Sequence, residues 1–276
     1  MKNPLTTTGI ILNLNIRKWS GEVSDRKALQ AVADHFKSDT HNDKYRKSLF
    51  VNDPLSLVDR IAGRLRNHYY AKTSPWMPDG QGRLIPSQGF QEYSQGYSPM
   101  KMEFYQEVDK FLDDYPDHVE LAKDRKGDLF MASEYPAAEI VRSKFEIQLT
   151  TLPFPDVSDF RIDAPEAVIQ ELEKSMKESV ERVQSIISVE LDARLTKRLQ
   201  MLLKTLTVGK RFSTSLLTEL KAILTMGEQL KETVDPVLLN RMEKVNQYIL
   251  CWSATKLRNS ESGQLAVIDV CRSLLA

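Results

Sequence analysis

Cysteine is nearly absent from this chain, with two in 276 residues, Cys251 and Cys271. They make no C-x-x-C motif, no zinc-ligand spacing and no disulfide framework, so a stapled secreted scaffold is excluded. Both sit in helix-like surroundings and are expected to be buried thiols in a reducing compartment. Glycine (11) and proline (12) are scarce, which argues against a collagen-like chain or a loop-rich sandwich. No run approaches the roughly 20 apolar residues that a bilayer span needs. The first fifteen residues lack the charged-then-apolar pattern of a signal peptide. The expectation is a cytoplasmic protein, in the host cell, with no membrane partner. Charge of one sign is also missing: Lys+Arg is 38 and Asp+Glu is 38. A histone-like, wholly electrostatic nucleic-acid binder is thereby excluded, while a local basic patch stays open.

The common chemistry-bearing motifs are missing as well. There is no G-x-x-x-x-G-K-[ST], no H-E-x-x-H and no G-x-S-x-G. Thr207-Val-Gly-Lys-Arg211 has a Gly-Lys pair but neither the glycine spacing nor the hydroxyl of a phosphate loop. The chain therefore predicts no cofactor, no resident metal and no catalytic residue. The nearest thing to a ligand set is Asp34, His35, Asp39, His41 and Asp43. Imidazole with carboxylate suits a divalent transition metal, but the set straddles a helix end and a polar loop, where such residues are ordinarily just solvated. A metal-dependent enzyme is retained from it only as an alternative.

What is present is an ordinary globular composition, 41% hydrophobic and 28% charged, with strong periodicity. Ile10, Leu12, Leu14 and Ile16 alternate with Asn13 and Asn15, the period of a half-buried strand. Ser24 is read as the cap of a helix to about Phe36, with Leu29, Val32, Ala33 and Phe36 as its apolar face. Residues 37–48 read as loop. Asp53-Pro54 opens a helix to about Thr73, and 74–86 reads as a turn-dense loop. Helices follow over about 87–115, 116–130 and 136–144. Phe145–Leu149 and Phe160–Ile162 are short strands that could pair with the first. After Pro165 everything is helical, led by a helix of about 40 residues whose apolar stripe runs from Val168 to Leu206. Gly209 ends it, and three shorter helices follow, over 213–231, 237–257 and 264–275. The fold class expected is mainly α with a small antiparallel β-sheet (α+β), the long amphipathic helix packing in a hairpin or bundle. Two domains are drawn, an α+β domain over 1–164 and a helical one over 165–276. So long a stripe needs a long partner or another subunit, which makes a homo-oligomer the expectation and a self-contained hairpin the alternative.

Two groups of residues suggest binding. From Glu166 to Asp192 seven acids face three bases, but from Arg194 to Arg211 there are six bases and no acid. Acid early and base late complements the helix dipole, yet the dipole acts only over the terminal turns. Arg194, Lys197, Arg198, Lys204, Lys210 and Arg211 are thus candidates for contact with phosphates or an acidic partner. Trp76 and Arg83, in the turn-dense segment, are a second candidate contact, since such a loop can stack a base or grip a peptide. The plainer reading has Trp76 covering the core and Arg83 capping a helix end.

The run Leu12-Asn-Leu-Asn-Ile-Arg-Lys-Trp-Ser-Gly21 resembles the N-terminal signature of a family of phage and bacterial proteins built on a domain of unknown function. Arg83-Leu-Ile-Pro86, Asp113-Asp-Tyr-Pro116 and Arg142-Ser-Lys-Phe-Glu-Ile147 are similar too, so the resemblance spans about 10–165. It implies a phage or mobile-element setting, often near a MoxR- or cobaltochelatase-like AAA+ ATPase. It carries no established active site. The reading that results is a non-enzymatic phage protein acting through protein–protein contacts, as adaptor of an AAA+ machine or binder of a host factor. Nucleic-acid binding through the basic tip is the alternative.

Overall fold

The structure is a computed structural model that describes residues 5, 8–39, 44–76, 82–154, 165–209 and 213–276. In chain order its elements are β1 (Gly9–Arg17), β2 (Glu22–Ser24), α1 (Arg26–Phe36), β3 (Arg46–Ser48), α2 (Ser56–Lys72), β4 (Ser74–Pro75), β5 (Arg83–Pro86), α3 (Phe90–Asp113), α4 (Tyr115–Lys126), α5 (Ala138–Arg142) and β6 (Glu146–Pro153). Then come α6 (Glu166–Thr207), α7 (Thr214–Gln229), α8 (Pro236–Tyr248), α9 (Ala254–Arg258) and α10 (Glu261–Leu275). Strands β4-β5-β1-β6 form an antiparallel sheet, and β2 pairs with β3. The molecule is mainly α with a small β part, as expected. Among the described residues no helix is long and apolar enough to cross a membrane.

The chain divides into two compact units. The first holds Met1–Asn13, Tyr69–Ser94 and Thr150–Ala276; the second holds Leu14–His68 and Gln95–Leu149. The expected helical domain, 165–276, falls wholly within the first.

The core of the first unit is built around α6. Val183, Ile187, Leu191, Leu195, Leu199, Leu202 and Leu206 recur every three or four residues and all are buried. They face Leu216, Leu220 and Ile223 of α7 and Val267, Ile268 and Cys271 of α10, the two helices that pack on α6. At 42 residues and about 1.5 Å each, α6 is about 63 Å long, and it is covered by its own neighbours from Val183 onward. Further forward Val168 is 44% exposed and Leu172 half-buried, so at these two positions the expected stripe is not buried in the same way. Each fully buried leucine of this seam contributes roughly 2 kcal/mol.

Several sequence expectations are corrected here. The segment 74–86 is not all loop: Ser74–Pro75 and Arg83–Pro86 are strands, with Ile10 opposite Ile85 and Ile11 opposite Leu84. Leu84 and Ile85 are both buried, and the prolines lie at strand ends, where a missing N–H is tolerated. The segment 237–257 is two helices. The chain turns after Tyr248, and Ser253 Oγ accepts from Lys256 N at 3.2 Å to start α9. That turn leaves Cys251 exposed, while Cys271 is buried as expected. The strand expected at Phe160–Ile162 lies outside the described residues.

The second unit is aromatic. Trp19 sits edge-on to Phe50 and Tyr115, at 5.6 and 6.1 Å, and Phe111 joins them. Gly21 has φ +64°, a conformation that favours glycine, and a Cβ there would sit tightly, 3.0 Å from the Phe50 ring. Here too the sequence reading is corrected. Ser24 lies in β2 opposite Arg46, and the cap of α1 is Asp25, whose Oδ1 accepts from Ala28 N at 3.0 Å. Residues 46–48, read as loop, are β3.

Candidate functional site

Both predicted contact groups send residues into one internal clamp of the first unit. Arg83 of β5 and Arg194 of α6 converge on Glu190 Oε1, at 2.9 and 2.7 Å. The same two guanidinium groups donate to the carbonyl of Thr73, at 2.8 and 2.7 Å. Arg83 Nε adds a bond to Thr73 Oγ1 at 2.7 Å, and that hydroxyl donates to Tyr69 O at 2.6 Å. Thr73 follows the last turn of α2, whose carbonyls carry the negative end of the helix dipole. Two cations therefore meet one carboxylate and a helix end, close to electrostatic balance. The Arg83 guanidinium also lies over the Tyr70 ring, 5.1 Å from its centre. Trp76 packs edge-on against Phe154 at 5.4 Å and covers the core. Trp76 and Arg83 thus take up the structural roles weighed in the sequence reading.

The rest of the basic group divides. Arg198 pairs with Glu219 of α7 at 2.8 Å. Lys197 and Lys204 are exposed and make no ion pair among the described residues. Lys210 and Arg211 lie outside the described residues. The acidic stretch before them is also partly internal: Asp192 pairs with Arg241 of α8, whose Nη1 also donates to Thr196 Oγ1 at 2.9 Å. Much of the charge pattern of α6 therefore serves its own packing. Of the candidate metal ligands, Asp34 accepts from Gln30 Nε2 at 2.8 Å and His35 stands edge-on to Phe36. His41 and Asp43 lie outside the described residues, and no group of three or more ligands is assembled among the rest.

A feature with a different geometry lies in the second unit. Strands β2 and β3 pair antiparallel, with Val23 opposite Lys47, and the chain between them carries α1. The base of this excursion is a buried ionic knot. The Lys47 side chain is 8% exposed, and its Nζ meets Glu134 at 2.9 Å, Asp25 at 3.3 Å and the carbonyl of Leu129 at 2.7 Å. Burial pulls the Lys47 pKa down, but the hydrogen bonds and charges of Glu134 and Asp25 reverse this and leave it raised. Asp25 is lowered, first by the Ala28 N–H that it caps. One carboxylate therefore both starts α1 and locks its base. Beyond that base α1 buries little. Ala33 is buried and Leu29 half-buried, but Val32 is 42% and Phe36 71% exposed. Of the apolar face read from the sequence, Val32 and Phe36 are uncovered. The first helical turn, directly after the Asp25 cap, holds Arg26 and Lys27 and no acid.

Compared with protein families, curated proteins and solved structures, the chain matches none.

Proposed function

We propose that the protein works by protein–protein contact and not by catalysis, with α1 as its contact element. The observation that carries this reading is the uncovered face of α1 on a fixed base. The helix is properly capped at both ends, by Asp25 and by Lys37 in the left-handed conformation. Its stalk is held by a buried lysine, yet Val32 and Phe36 face outward. A well-formed helix with an apolar face and little to pack against is the form taken by helix-in-groove ligands. An adaptor of an AAA+ machine and a binder of a host factor are two versions of this reading.

The test is capture from cells by the tagged full chain, with bound proteins identified and quantified. The double variant Val32→Asp/Phe36→Asp is expected to fold normally and lose its partner. A partner retained by that variant would remove α1 from the reading.

A further inference from the structure

We infer that the partner of α1 is a protein with an apolar groove rimmed by carboxylates. This rests on the contact reading above and gives it a chemistry. Leu29, Val32 and Phe36 stand at i, i+3 and i+7, the spacing of anchors that enter a groove one turn after another. With about 100° between successive residues, Arg26 and Lys37 fall on one flank of that face, roughly 60° and 80° from Leu29. Arg26, Lys27, Lys37 and Lys44 are all exposed, and none makes an ion pair among the described residues. Arg26 and Lys27 occupy the first turn, where the positive end of the helix dipole disfavours cations. Asp25 at the cap offsets part of that cost, since its carboxylate stays charged while it accepts from Ala28 N and pairs with Lys47. Exposed and unpaired, Arg26 and Lys37 beside the uncovered Val32 and Phe36 complement carboxylates on whatever covers that face.

Two other occupants fit less well. In an isologous pair the face of α1 would meet its own basic flank, setting like charge on like charge. Three turns with three anchors give a bilayer only a small buried apolar area, and stable membrane attachment needs more than one such signal.

The experiment uses the tagged full chain in three forms: unaltered, Val32→Asp/Phe36→Asp, and Arg26→Glu/Lys27→Glu/Lys37→Glu. Circular dichroism confirms that each is folded. The identified partner is purified, its contact residues are mapped by cross-linking, and its affinity is measured against salt. The inference expects contacts in an apolar groove bordered by Asp or Glu, and affinity that falls as salt rises. The charge-reversed form should bind at least tenfold more weakly and be rescued by Lys at the partner's rim. If the charge-reversed form binds as well as the unaltered chain while the apolar variant does not, the acidic rim is wrong and the contact reading stands. If both variants bind unchanged, both fail. Phe36-dependent binding to vesicles containing phosphatidylserine without any protein partner would overturn the inference. So would a Phe36-dependent dimer in light scattering, or no captured partner at all.

Discussion

Replacing Glu190 by alanine removes the only carboxylate from the clamp and leaves two arginines facing each other across Thr73 O. The lost contacts are two charge-assisted hydrogen bonds, from Arg83 and Arg194. Each such bond contributes about 1.5–3 kcal/mol where water is excluded. The side chains are 12%, 21% and 25% exposed for Arg83, Arg194 and Glu190, so partial screening reduces the sum. Each arginine also keeps its bond to Thr73 O, so neither is stranded. The net loss expected is about 2–3 kcal/mol, or roughly 4–12 °C in melting temperature for a unit of this size. Glu190→Gln keeps an acceptor without the charge and should fall between wild type and alanine. Calorimetry or thermal circular dichroism reads these shifts. The decisive assay is a double-mutant cycle: Glu190→Ala with Arg194→Ala should cost clearly less than the sum of the two single changes. Additive losses, or a Glu190→Ala melting temperature within about 1 °C of wild type, would refute the clamp as a coupled unit.

Other outcomes follow from single residues. With Cys251 exposed and the Cys271 thiol pushed by burial to about 12, a thiol reagent at pH 8 should modify one cysteine in the native protein and two in denaturant. The raised Lys47 pKa means that its ion pairs with ionised Asp25 and Glu134 stabilise the fold fully at neutral pH. That contribution is lost as pH rises past the ordinary lysine value of 10.5, so the alkaline limb of a stability–pH curve should flatten in Lys47→Met. A Cβ at Gly96 would lie 2.5 Å from the His68 ring, so Gly96→Ala should destabilise the protein by about 1–3 kcal/mol, as measured by urea unfolding. If the basic tip binds DNA, Lys197→Glu/Lys204→Glu/Lys210→Glu/Arg211→Glu should lower affinity and flatten its salt dependence, and unchanged binding would discard the tip.

Period was what the sequence displayed most clearly, and period is what packing uses. The stripe from Val183 to Leu206 and the alternation from Ile10 to Ile16 announce their elements because each buries one face of a regular backbone. Short strands are harder to read. Arg83–Pro86 has four residues next to turn signals, and it is a strand because β1 needs a hydrogen-bonding edge, a demand made by residues more than seventy positions away. The same distance effect explains the charges. Arg83, Glu190 and Arg194 look like surface residues in a helical or loop pattern, but they converge because the end of α2 and the middle of α6 meet β5. A charge count along α6 cannot separate bases that serve packing, such as Arg194 and Arg198, from those left in solvent, such as Lys197. The reverse holds for α1. Its apolar face carries the same periodic signal as a core helix, and periodicity gives amphipathicity without saying what covers the face. What covers a face is decided by distant residues, and here Val32 and Phe36 are left exposed while the α6 stripe from Val183 is buried.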